Sequence, residues 1–87
     1  MKLKYQFMIQ KVGDHYMAVD VSGDNSDFKG VIKLNETGKF IFECLKEDIS
    51  IDDLIAKVMN EFDGAKEEVE SSVKEYCQTL QDKGLLL

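Results

Sequence analysis

The sequence has no arginine, no proline and no tryptophan, and only one histidine and two cysteines in 87 residues. All eleven positive charges are lysines, set against 17 carboxylates, which leaves a formal net charge of −6. Arginine is the side chain that grips phosphate and guanine bidentately, so an acidic chain without it is a poor binder of polyanions. The acidic balance suits solubility, or a partner that is basic or apolar. His15 stands alone, and Cys44 and Cys77 are far apart, so the short ligand spacing of a metal site is missing. Both cysteines fall on apolar helix faces and read as buried reduced thiols rather than as a disulfide. No apolar run approaches the roughly 20 residues that cross a bilayer. The start, Met1-Lys2-Leu3-Lys4-Tyr5-Gln6, lacks the long apolar stretch and cleavage site of a signal peptide, and the expected location is the cytoplasm. Gly13, Gly23, Gly30 and Gly38 do not form a phosphate-cradling loop.

The length fits one small domain, 1–87, without internal repeat, linker or low-complexity segment. A chain of this size hides only about 60–65% of its unfolded surface. Its first third reads as β-structure. Tyr5, Phe7 and Ile9 alternate with polar or flexible neighbours, the period of a half-buried strand. Gly13-Asp14 is a turn signal and predicts a hairpin. The second strand, His15 to Val21, would place Met17, Val19 and Val21 on one face. A polar loop from Ser22 to Asp27 follows, then a short third strand from Lys29 to Leu34.

The remainder reads as three helices. Leu34-Asn35-Glu36-Thr37-Gly38 marks the strand-to-helix junction, with Asn35 suited to accept a bond from an orphan N–H of the first turn. Glu36 sits where the helix dipole favours negative charge. The expected buried face of the first helix is Thr37, Phe40, Ile41, Cys44 and Leu45. The second helix opens at Ser50, with Asp53 three residues on, and carries Ile51, Leu54, Ile55, Val58, Met59 and Phe62 at helical spacing. The third runs from about Ala65 to Lys83, burying Val69, Val73, Tyr76, Cys77 and Leu80, and Gly84 ends it. The tail, 85–87, packs back on the core. Strands followed by helices predict an α+β domain of winged helix-turn-helix type, a three-stranded antiparallel sheet followed by three helices.

Candidate chemistry is thin. His15 has no partner that would make it a base for either thiol, and reads as a partly exposed strand residue. Asp20, Ser22, Asp24 and Asp27 loosely resemble a calcium loop, but lack its closing bidentate acid, and a solvated turn is the preferred reading. A recognition helix beginning Ala65-Lys66-Glu67-Glu68-Val69-Glu70 would repel a phosphate backbone, which disfavours DNA. A small winged-helix regulator or protein-interaction module is the alternative class. An extended peptide is the better ligand: it can add to an open sheet edge, for which the third strand is the candidate. The same open edges allow a monomer or a strand-swapped dimer.

The chain resembles the PqqD family, named after the pyrroloquinoline quinone biosynthesis protein D. The resemblance runs through Asp27-Phe28-Lys29-Gly30-Val31-Ile32-Lys33 and the LNETG junction, residues 34–38. It continues through Ile51-Asp52-Asp53-Leu54-Ile55 and Glu61-Phe62-Asp63, then Glu67-Glu68-Val69, and closes on Leu80-Gln81-Asp82-Lys83-Gly84-Leu85-Leu86. Two positions depart from the family pattern: Ser72 stands where an acid is common, and Lys46-Glu47-Asp48 where a glycine commonly follows the first helix. The resemblance implies a non-catalytic RiPP recognition element without cofactor or metal. Such a domain binds the leader segment of a ribosomally made precursor peptide and presents it to a modifying enzyme, often a radical SAM maturase. It implies a leader added to the third strand, with Val31, Ile32, Lys33 and Leu34 as the edge. Val69, Val73 and Cys77, flanked by Glu70 and Lys74, would form the helical wall.

Overall fold

The computed structural model describes residues 1–21 and 31–87. The polar loop, the greater part of the calcium-like segment and residues 27–30 of the family resemblance lie outside them. Three strands, β1 (Phe7–Val12), β2 (His15–Asp20) and β3 (Val31–Leu34), precede three helices, α1 (Glu36–Cys44), α2 (Ile51–Glu61) and α3 (Lys66–Asp82). The sheet is antiparallel, in the order β1-β2-β3. This is the expected α+β architecture, and it leaves β3 on an edge.

The hairpin between β1 and β2 has a two-residue turn. Gly13 takes φ +63°, whereas among the described residues no non-glycine, Asp14 included, has positive φ, the distribution of a II′ turn with glycine at its first central position. Val12 pairs with His15 and the ladder runs to Phe7 opposite Asp20. On the inner face lie Phe7 and Ile9, then Tyr16 and Ala18, then Ile32 and Leu34, as the cross-strand pairing requires. Met17 and Val19 share one face of β2 as expected, and it is the outer face of the sheet. Ala18 is fully buried, while Val21 is 49% exposed. Helix α1 packs over β2, and a small residue beneath it admits the close approach that a bulkier one would block. The outer face carries a row of Met8, Val19 and Val31, of which Met8 and Val31 are largely exposed.

Asn35 caps α1 through its Oδ1, which accepts from the Gly38 N–H at 2.8 Å. Ser50 caps α2 by accepting from the Asp53 N–H at 3.1 Å. Caps of this kind are worth about 1 kcal/mol each. The centres of the α2 and α3 stripes are buried as the periodicity requires, at Leu54, Ile55 and Val58 and at Val73, Cys77 and Leu80, while Ile51, Met59, Phe62, Val69 and Tyr76 are half-buried at their margins. Helix α1 differs. Its buried residues are Gly38, Ile41 and Phe42, with Leu45 just beyond, while Phe40 and Cys44 are half-buried. Phe42 meets Phe7 of the sheet edge-to-face at 5.4 Å, and Phe40 meets Phe62 at the end of α2 at 5.6 Å. The helix is thus covered on two sides, and its inner line starts at a glycine that contributes no apolar side chain to the pattern.

After α3, Gly84 at φ +75° turns the chain, the left-handed C′ position that glycine occupies without steric cost. Leu85 is fully buried. Leu86 bridges to Leu3, and the Lys4 N–H donates to the Leu85 carbonyl at 2.7 Å. The first and last residues described therefore brace one another, and Leu3 also donates to the Leu45 carbonyl at the end of α1. Among the described residues no helix is long and apolar enough to cross a membrane.

Candidate peptide-binding site

The free edge of β3 can be resolved residue by residue. In an antiparallel ladder, each residue turns both its N–H and its C=O to the same side, and successive residues alternate. The Val21 N–H donates to the Gln6 carbonyl, so residues 15, 17, 19 and 21 bond toward β1. Tyr16 and Ala18 then bond toward β3, where their partners are Leu34 and Ile32. The backbone groups of Val31 and Lys33 are the ones left pointing outward from the sheet. Their side chains lie on the outer face, while Ile32 and Leu34 point inward and Leu34 is buried.

A cleft of about 360 Å³ opens at the end of this edge. Its walls come from the start of α1 (Asn35, Thr37, Gly38, Ile41), the end of α2 and the turn after it (Val58, Phe62, Asp63, Gly64), and α3 (Glu68, Val69, Ser72, Val73, Tyr76). Gly38 is the joint between strand and helices. A Cβ there would meet Tyr76 Oη at 3.0 Å, Asn35 Oδ1 at 3.3 Å and Leu34 Cδ2 at 3.4 Å. Only a glycine lets the α1 start lie against Tyr76 without displacing that hydroxyl.

The residues expected from the sequence fall into three groups. Val31, Ile32, Lys33 and Leu34 form the edge strand, with Val31 and Lys33 offering backbone outward. Val69 and Val73 line the cleft. Cys77, Glu70 and Lys74 do not. Cys77 is buried in the core, and Glu70 and Lys74 bind each other across one helical turn at 2.8 Å on the surface. That hydrogen bond holds the Glu70 carboxyl below its ordinary pKa and Lys74 above its own. Gly38, Phe62, Asp63, Glu68, Ser72 and Tyr76 also line the cleft and were not singled out as site residues. Periodicity finds which residues a helix buries, whereas these converge only when three elements meet.

The titratable groups here favour binding over nucleophilic chemistry. Burial pushes the Cys77 thiol up, and burial likewise raises Cys44 despite the nearby Lys57, so both stay protonated thiols at neutral pH. Burial also pushes the Tyr76 phenol from 10.0 up to about 12. A group whose neutral form is favoured by the fold stabilises it below the unfolded pKa, and loses that contribution as pH rises toward the folded one. Wild type should therefore lose stability between about pH 10 and pH 12 more steeply than Tyr76→Phe. Urea melts of the two proteins across that range would measure it, and parallel pH curves would show that Tyr76 is not held neutral by the cleft. Among the described residues no cluster of His, Cys, Asp or Glu could hold a metal ion.

The family model described as coenzyme PQQ synthesis protein D (PqqD) matches residues 12–86. The chain belongs to the PqqD family. A solved structure of TbiB1 in complex with the TbiA(beta) leader peptide is similar to this PqqD-family chain, with a TM-score of 0.74. The two share 17% identity, and the match covers 99% of this chain and 94% of the other. At that identity the likeness establishes a common fold. No curated protein matches the chain.

Proposed function

We propose that this PqqD-family chain binds the leader segment of a ribosomally made precursor peptide by strand addition at β3, and presents it to a modifying enzyme. The observation that carries the reading is the open β3 edge at Val31 and Lys33, with a cleft that α3 helps to wall beginning at Asn35, the residue after the strand. Family membership and the leader peptide named with TbiB1 support it. Main-chain bonds to the edge supply affinity with little regard to sequence, and the cleft supplies selectivity. Side chains directly opposite one another in a ladder share a face. Peptide residues opposite Ile32 and Leu34 would thus turn toward the helices, and those opposite Val31 and Lys33 toward the outer face. The role is binding, without catalysis: holding the leader makes modification of the attached segment nearly intramolecular, raising its effective concentration.

An NMR titration of the labelled chain with the leader half of a short precursor peptide encoded beside its gene tests the reading. Saturable shifts should concentrate on residues 31–38 and 68–76, and duplex DNA at low salt should leave them unmoved. Shifts confined to other surfaces, or larger shifts with DNA, would sink it.

A further inference from the structure

The cleft has a charge pattern as well as a shape. Its interior is apolar, formed by Ile41, Val58, Phe62, Val69 and Val73, with the Tyr76 ring. Among the described residues, its only charged lining residues are Asp63 and Glu68, and no lysine lines it. Asp63 comes from the turn after α2, and Glu68 from the first turn of α3, so two different elements bring like charges to one opening. Among the described residues, no hydrogen bond or ion pair joins either carboxylate to a lysine.

We infer that the cleft is a side-chain pocket for an apolar anchor carried next to a cation, so that the peptide segment it selects has a bulky apolar residue flanked by Lys or Arg. This deepens the proposed function and rests on it for the claim that the occupant is a peptide. The volume, about 360 Å³, lies near the small end of ligand pockets, which suits one or two side chains rather than a whole cofactor. Apolar burial fixes the anchor, and the carboxylates at the opening discriminate between flanking charges. Exposed pairs of this kind are weak individually and sensitive to salt. Discrimination between opposite charges, rather than tight binding, is the expected signature.

Two probes of nearly equal size and opposite sign separate the terms: 4-phenylbutylamine and 4-phenylbutyrate, titrated into the labelled 87-residue chain. The amine should give saturable amide shifts at Gly38, Val69, Val73 and Tyr76. Its affinity should exceed that of the acid by about five- to tenfold at low salt. The preference should shrink toward unity at high salt, and in the double variant Asp63→Asn with Glu68→Gln. Equal binding of the two probes, preference for the acid, a preference that survives the double variant, or no binding at the cleft by either would each overturn the inference. Neither probe has a peptide backbone to add to β3. Failure here therefore leaves strand addition standing, and failure of strand addition leaves the pocket's charge preference measurable.

Discussion

Phe42→Ala should cost about 3–5 kcal/mol of folding stability, the largest loss expected from any single side chain in α1. Phe42 is completely buried. It lies edge-to-face with Phe7 at 5.4 Å and with Tyr76 at 6.5 Å. One ring therefore ties the sheet to α1 and α1 to α3, and its removal leaves a cavity that three elements cannot close without shifting. A domain of this length has roughly 4–13 kcal/mol in total, so the variant should lose a quarter or more of its stability. Phe40→Ala should cost much less, about 1–2 kcal/mol, because that ring is only half-buried, against Phe62 and the rim of the core. Urea melts of the two variants give the comparison. A greater loss for Phe40→Ala would mean that α1 is turned about its axis from the orientation described.

The contrast between these rings shows where the sequence is readable and where it is not. Local signals were legible: Asn35 and Ser50 cap their helices as their types suggest, and the α2 stripe is buried as its spacing requires. The turn at Gly13 and the stop at Gly84 both carry the positive φ that glycine accommodates. The α1 face was legible only in part: Ile41 and Leu45 are buried as expected, but the line that includes Phe42 begins at Gly38, where the missing side chain is the structural feature. Which face of β2 turns inward was not legible either: the position beneath a helix is small, and Ala18 rather than a bulkier residue fills it. The edge position of β3 was legible as an element. Which residues open outward was not, since that depends on the register of β3 against β2 and of β2 against β1.

That register makes adjacent residues of β3 respond oppositely to the same substitution. Lys33→Pro deletes an N–H that points to the open edge, and proline is tolerated where no ladder bond is lost. The variant should stay folded, with a stability change within about 1 kcal/mol, and the outer row of the sheet should keep its pairing. An incoming strand, however, would lose a main-chain partner and meet the pyrrolidine ring, so peptide affinity should fall by about tenfold or more. Ile32→Pro instead deletes an N–H turned toward Ala18 in β2, leaving a ladder acceptor without its donor and straining the inner face. It should destabilise the whole domain by about 3 kcal/mol. Lys33→Ala, which keeps the N–H and removes only the side chain, should bind peptide almost as well as wild type. Calorimetric titration of the three variants with the same leader peptide, with their urea midpoints, separates edge from ladder. Wild-type affinity in a folded Lys33→Pro protein would place the peptide elsewhere. Loss of binding in Lys33→Ala as well would assign recognition to the side chain on the outer face rather than to the backbone at the edge.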